Sequence, residues 1–219
     1  MNNKLISVII PVYNGEEYIG RCLRSLLSQS IGQEEFEIVL INDGSFDNTE
    51  YALKLFKGGI IRVFNNEENM GLPYSLNKGI SKSFGKFIVR VDADDYVNKD
   101  FLLIMKKFLE MDQLIDAVSC DYELIDSEEN IISVENSTEN PIGCGIMFRK
   151  EQLIKIGMYD SRMKYHEEKD LLIRFKKNFS IHRIALPLYR YRKHENNMTN
   201  DKKKVEEYNK KLHIKHKGR

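Results

Sequence analysis

The sequence predicts an α/β fold built on one doubly wound, mostly parallel sheet, and three observations predict it. Four apolar, β-branched runs recur between Leu5 and Val91, amphipathic helical segments separate them, and a polar loop follows each carboxyl end. Strands joined through helices pair in parallel by right-handed crossovers. In such sheets ligands bind outside the carboxyl ends of the strands.

The elements follow in order. Leu5–Ile10 is an apolar strand that Pro11 ends, and Asn14 with Glu17 three residues on reads as an N-cap and its capping-box partner. Tyr18, Ile19, Cys22, Leu23, Leu26 and Leu27 then share one helical face. Phe36–Ile41 is the second strand, closed by Asn42-Asp43-Gly44-Ser45, and Asp47 to Glu50 repeats the capping pattern before a helix to about Phe56. Ile60–Phe64 is the third strand. A polar loop, Asn65–Gly71, leads to a helix opened by Pro73 and running to about Phe84. Lys86–Val91 is the fourth strand, and Arg90, its one interior charge, needs a partner or an exposed end.

Beyond Asp95 the pattern changes. Phe101–Met111 is an amphipathic helix with Leu102, Met105, Phe108 and Leu109 on its packing side. Ala117–Ile125 and Ile131–Val134 read as strands around a turn. Gly143–Phe148 reads as a strand with little bulk at its start, leaving space for a bound group. A short helix from Glu151 to Ile156 and a helix following Tyr165-His166-Glu167-Glu168 come next. Two short strands, Ile181–Ala185 and Leu188–Arg192, precede His194.

Composition limits the function classes. A chain of 219 residues, 42% hydrophobic and 31% charged with a net charge of +1, is an ordinary globular domain with no global field for nucleic acid. No apolar run approaches the roughly 20 residues that cross a bilayer. The three cysteines are odd in number and outside CxxC spacing, which reads as reduced thiols in a cytoplasmic protein. The tail, 201–219, carries eight Lys/Arg against three Asp/Glu, with Val205, Tyr208 and Leu212 near one helical face. It reads either as a solvated disordered end or as a basic amphipathic segment touching an anionic membrane.

The densest chemistry is Asp92-Ala93-Asp94-Asp95. If extended geometry continues past Val91, Asp92 and Asp94 point to the same side, and Ala93 leaves room for a group to lie across the backbone. Two such carboxylates repel unless a cation sits between them, and oxygen ligands favour Mg2+ or Mn2+. The alternative is an acidic turn with Asp95 or Asn98 capping the next helix. An EF-hand loop is excluded, because the required glycine and terminal glutamate are absent.

Several stretches carry a resemblance. These are Ser7-Val8-Ile9-Ile10-Pro11-Val12-Tyr13-Asn14, Asn42-Asp43-Gly44-Ser45, Asn69-Met70-Gly71-Leu72, Leu76-Asn77-Lys78-Gly79 and Asp92-Ala93-Asp94-Asp95, followed by Glu167-Glu168-Lys169-Asp170 and Tyr191-Arg192-Lys193-His194-Glu195-Asn196. In this order, over roughly Ser7 to Thr199, the chain resembles the family 2 glycosyltransferases, which have a GT-A fold. The resemblance implies a single domain over 1–200, with a nucleotide-binding half (1–110) and a smaller acceptor-side half (111–200), followed by the tail. It implies inverting transfer of a sugar from a nucleotide diphosphate donor to a hydroxyl of a glycan or lipid-linked glycan, in the cytoplasm or at the inner face of the membrane. A homodimer is a further candidate.

By the same resemblance, Pro11, Tyr13, Glu16, Asp43, Asn69, Gly71, Asn77, Asp92 and Ala93 border the nucleotide sugar. Asp94 and His194 hold the Mn2+ or Mg2+ ion. Arg192 and Lys193 are candidate phosphate partners. An ionised Asp43 only accepts hydrogen bonds, which suits the imide N–H of uracil and hence a UDP-sugar. The general base falls in the pair Glu167-Glu168, with Glu168 on the position usually held by aspartate, and Asp170 is a third candidate. The helix dipole alone also accounts for acids at that place. Two other readings remain. A nucleotidyltransferase would want a glycine-rich basic loop where Val12–Glu17 is acidic, and a catalytically inactive nucleotide-sugar-binding or scaffold protein would share this fold.

Overall fold

The computed structural model describes residues 4–56, 59–195, 197 and 200–217. Asn196 and Thr199, at the end of the resemblance, and the last two residues of the tail lie outside them. The four early runs form β1 (Ile6–Val12), β2 (Phe36–Asn42), β3 (Ile61–Asn65) and β4 (Phe87–Arg90), paired in parallel in the order β3-β2-β1-β4. The crossovers are α1 (Ile19–Leu27), α2 (Thr49–Lys54) and α3 (Leu72–Lys82). Then follow β5 (Tyr96–Val97), α4 (Phe101–Met111), β6 (Ala117–Ile125), β7 (Ile131–Glu135), β8 (Ile146–Arg149), α5 (Lys150–Lys155), α6 (Glu167–Phe175), β9 (Ile181–Arg192) and α7 (Lys202–His216). The sheet continues β4-β8-β6-β9-β5, with β7 against β6. Parallel pairing gives way at β4: β8 runs antiparallel to both of its neighbours, and β9 is parallel to β6 but antiparallel to β5.

Both faces of the parallel half are covered, which is why its strands are continuous apolar runs. Ile6, Val8, Ile10 and Val12 join Cys22, Leu23 and Leu26 of α1 and Met105 and Leu109 of α4 on one side. Ile9, Val39 and Ile41 meet Leu76 and Ile80 of α3, Leu153 of α5 and Phe175 of α6 on the other. On α4, Leu102, Met105 and Leu109 are fully buried as expected, whereas Phe108 is only partly so and stacks on His182.

Several local expectations change. Pro11 does not end β1: the strand runs through it to Val12, and Pro11 is buried. Ile6 N donates toward β2 and Ile9 O accepts from Val91 N of the β4 side, so the amide missing at Pro11 would face β4, whose pairing with β1 stops at Arg90. Asn14 does not cap α1. It sits at φ 50 and its Oδ1 accepts from Phe46 N, tying the β1 loop to the β2 loop, and α1 starts at Ile19. The second predicted cap also shifts: the N-cap position of α2 is Asn48, without a side-chain cap bond, while Asp47 just before it accepts from Thr49 N and Thr49 Oγ1 and Glu50 pairs with Lys54. The two strands expected before His194 are one, because a register shift against Cys120–Tyr122 absorbs Pro187.

The tail is the largest change. Residues 202–216 are a helix, N-capped by Asp201, and Val205, Tyr208 and Leu212 are among its half-buried positions. Tyr208 packs on Tyr165 with ring centroids 5.4 Å apart, and His166 Nε2 lies 3.2 Å from Val205 O. At its far end Lys215 pairs with Asp160 and Asp170, and His216 Nε2 is 2.9 Å from Asp170. Val205 and Tyr208 of the apolar stripe are thus turned onto the body. No helix among the described residues is long and apolar enough to cross a membrane.

Asp170 has no exposed surface and also receives Arg174, so its oxygens are filled. Burial works against its charge, but Lys215, His216 and Arg174 together hold its carboxyl below the usual range. Arg162 first, then Lys215, hold Asp160 far below it. Asp170→Asn should cost about 3–5 kcal/mol by removing the buried carboxylate charge that Lys215 and Arg174 share, measured by urea unfolding at pH 7. Both folded pKa values are depressed, so the stabilisation is present above the unfolded value near 3.8 and is lost as pH falls through the folded values. The gap between wild type and Asp170→Asn should therefore close in strong acid.

Candidate active site

The carboxyl ends of β1, β2, β3 and β4 bring the four predicted loops together. Asp43 ends β2 and is 4% exposed. Its Oδ1 accepts from Asn66 Nδ2 at 2.6 Å and Met70 N at 2.9 Å, and its Oδ2 accepts from Gly71 N at 2.9 Å. The carboxylate thus shapes the Asn66–Gly71 loop and keeps acceptor capacity on Oδ2. Gly44 is required beside it: at φ 72, a Cβ would stand 2.5 Å from the Glu68 carbonyl carbon. Tyr13 is half-exposed and meets the exposed Phe46 edge-on at 6.0 Å. Glu16 Oε2 accepts from Asn48 N at 2.7 Å. Asn69 is exposed at the loop tip, and Pro11 lies beneath in the strand. Asn77 is the expected contact that is drawn elsewhere: its Nδ2 donates to Tyr159 O at 2.8 Å and its Oδ1 accepts from Tyr159 N at 3.0 Å.

Extended geometry does not continue past Val91. Residues 92–95 form a turn closed by Asp95 N donating to Asp92 O, so the three carboxylates part company. Asp92 receives Arg90 bidentately, Nε to Oδ1 at 2.6 Å and Nη2 to Oδ2 at 2.9 Å. Ala93 faces the first loop, since a Cβ at Gly15 would lie 3.7 Å from Ala93 Cβ. Asp94 Oδ2 lies 2.9 Å from His194 Nε2, and the His194 ring stacks on Tyr18 at 5.1 Å. Asp95 points inward, 1% exposed, receiving Tyr189 Oη at 2.7 Å and Arg192 N at 2.8 Å. It caps no helix, and burial first, then the Asp94 and Asp92 charges, push its carboxyl well above the ordinary range. Asn98 is the residue that accepts from Asp100 N at the start of α4.

Ligand atoms of Asp92, Asp95 and Cys144 also cluster within 4.8 Å. That group suits a hard cation poorly: one donor is a buried thiol pushed well up by burial, and both carboxylates are already taken by Arg90, Tyr189 and Arg192. Asp94 with His194 fits better. A carboxylate oxygen and the imidazole Nε2 converge there, a mixed donor pair that would suit Mn2+ more than Mg2+. Arg192 is not free for phosphate. It is 2% exposed and its guanidinium is shared among Asp94 O, Ser127 O, Asp126 O and Glu129. Lys193 is exposed.

The acidic pair is divided by the fold. Glu167, 5% exposed, accepts Arg90 Nη1 at 2.9 Å. Burial raises its carboxyl to about 7, with Arg90 opposing the rise and the Glu168 charge adding to it. Glu168 accepts no hydrogen bond among the described residues, and its ion contact is His166 Nδ1 at 3.8 Å. Asp170, the third candidate, is saturated. Gly143 leaves no space for a ligand, because a Cβ there would lie 2.7 Å from Arg90 Nη1 and 2.9 Å from Glu168 Cβ. Sequence reasoning missed Asp95 as a buried tie and Tyr18 as the platform under His194. Nothing in the local sequence marked either residue for these roles.

The carboxyl edge of the parallel strands thus gathers Asp43, Asp92, Asp94 and His194, and Arg90 ties the start of α6, with Glu167 and Glu168, to the same edge. The sequence matches the family described as Glycosyl transferase family 2 over residues 7–186, and the chain belongs to it. An uncharacterised glycosyltransferase of Rickettsia typhi is 31% identical over 93% of this chain and 69% of its own length. The poly(ribitol-phosphate) beta-N-acetylglucosaminyltransferase TarS of Staphylococcus aureus is 36% identical over 48% of this chain, only 18% of its own length. A crystal structure of TarS residues 1–349 with UDP-GlcNAc superposes at TM-score 0.82 and 21% identity, over 96% of this chain and 66% of that one. The mannosyltransferase PcManGT from Pyrobaculum calidifontis, with GDP-Man and Mn2+, does so at 0.71 and 18%, over 88% of this chain and 58% of that one. The chain therefore spans about two thirds of these longer proteins at most.

Asp43→Asn replaces one acceptor oxygen by a donor facing backbone N–H groups that already donate. It should cost about 1–3 kcal/mol in thermal unfolding and raise hydrogen exchange at Met70 and Gly71.

Proposed function

We propose that this chain is an inverting glycosyltransferase that moves a sugar from a UDP-sugar to an acceptor hydroxyl on a glycan or lipid-linked glycan. The observation that carries the reading is the division of the acidic pair: one glutamate is tied to Arg90 and the other, Glu168, is left able to accept a proton at the cleft. Glu168 is the general base, taking the proton of the acceptor oxygen as it attacks the anomeric carbon from the face opposite the diphosphate. Glu167 holds the start of α6 in place. Tyr13, Glu16, Asp43, Asn69 and Gly71 border the nucleoside, with Asp43 Oδ2 receiving the uracil imide N–H. TarS, crystallised with UDP-GlcNAc, supports a uridine donor. Asn77 acts at one remove, by holding the Tyr159 backbone.

A Mn2+ or Mg2+ ion would be held by Asp94 and His194, and it would supply positive charge against the diphosphate as that group leaves. The chain's own contribution there is to hold both ligand atoms on one side of the turn, with Tyr18 beneath the imidazole. Asp92, neutralised by Arg90, faces the donor without adding a second free negative charge.

Calorimetric titration with UDP should show binding that Mn2+ strengthens and EDTA weakens, and Asp94→Ala should lose that metal dependence. Failure to bind UDP, GDP, CDP or dTDP would overturn the donor-site reading. Glu168→Gln should lower sugar transfer or donor hydrolysis by about 10²–10⁴-fold while leaving UDP affinity unchanged, measured by UDP release.

A further inference from the structure

We infer that Arg90 is a positioning residue for the transfer: it fixes the base-bearing start of α6 against the donor-side turn. The inference rests on the proposed function for the identity of the base. The side chain is buried and all three of its nitrogens are used across two elements. Nε and Nη2 clamp Asp92 in the turn after β4, and Nη1 holds Glu167, the first residue of α6, across 77 positions of sequence.

Two further features make this a mount rather than a chance pair. His166, immediately before α6, is in the left-handed region at φ 59, a conformation that costs a non-glycine residue energy and sets the direction in which Glu167 and Glu168 leave the chain. Gly143 is wedged between the Arg90 guanidinium and Glu168, with room for no side chain at all. The Glu168 main chain is therefore bounded by Arg90 on one side through Glu167 and on another through Gly143. Only a planar guanidinium can clamp one carboxylate with two nitrogens and still offer a third to another; an ammonium holds its partners as a point charge. A base displaced by about 1 Å is enough to cost about 10²-fold in rate.

The test uses the full chain, in Arg90→Lys and Glu167→Gln, separately and combined. The readouts are kcat for hydrolysis of whichever UDP-sugar the wild type cleaves, UDP affinity by calorimetry, and thermal stability. Each single variant should lose about 30–100-fold in kcat with UDP affinity changed less than about threefold, and the double variant should be no slower than the worse single one. A folded Arg90→Lys that keeps kcat within about threefold overturns the inference. So does a kcat loss matched by an equal loss of UDP affinity, which would place the effect on Asp92 and the donor. If Arg90→Lys does not fold, Glu167→Gln decides alone, since it keeps the shape and an acceptor oxygen, and full activity in it overturns the inference. Wild-type protein that binds no nucleoside diphosphate and cleaves no nucleotide sugar is a different result, and it removes the transferase reading instead.

Discussion

A guanidinium buried at the end of β4 sets the terms for the rest of the site. A lone charge in that position would cost several kcal/mol, so the fold has to bring carboxylates to it. One comes from the turn two residues on and the other from the helix that crosses from the acceptor side. Satisfying Arg90 therefore bends the chain after Val91, turns Asp92 back on the strand, and leaves Asp94 outside the clamp. The same pairing brings Glu167 inward and leaves Glu168, next in sequence, with unfilled lone pairs.

The second half of the sheet is fastened to that turn by Asp95. Its carboxylate receives the hydroxyl of Tyr189 and the backbone of Arg192, both in β9, and the Tyr189 hydroxyl lies 3.1 Å from Asp92 N. Arg192 in turn reaches Glu129 in the β6–β7 turn, which also receives Arg21 from α1. His194 is delivered to Asp94 by the strand that Asp95 anchors. The imidazole is thus placed by hydrogen bonds beneath the site rather than by anything in its own segment. On the far side of α6, α7 brings Lys215 and His216 onto the buried Asp170.

The readings that survived contact with the structure share a cause, and so do those that changed. Apolar periodicity placed all four parallel strands and α1, α3 and α4 within a few residues, because burial on both faces leaves no room for polar interruptions. Local polar signals were less informative. Asn14 and Asp47 both looked like caps, yet only Asp47 had its own helix as the nearest donor; Asn14 found Phe46 N across the loop instead. Asn77 stood in one of the stretches that carry the resemblance, and its amide both donates to and accepts from the Tyr159 backbone, 82 positions away. The tail looked like a solvated end because its charges outnumber its apolar residues. What holds it is a buried aspartate that no inspection of 201–219 could reveal.

By itself, the sequence determined the layered α/β architecture, the edge of the sheet on which the polar loops converge, and the family. These follow from alternating burial and from the order of motifs along one chain. Which of the acids are available for chemistry was decided only by the tertiary structure. A carboxylate has about four acceptor sites, and whether they are filled depends on donors that arrive from distant segments. Arg90 reaches Glu167, His194 reaches Asp94, and Lys215 and His216 reach Asp170, leaving Glu168 as the acid at the start of α6 with capacity to spare.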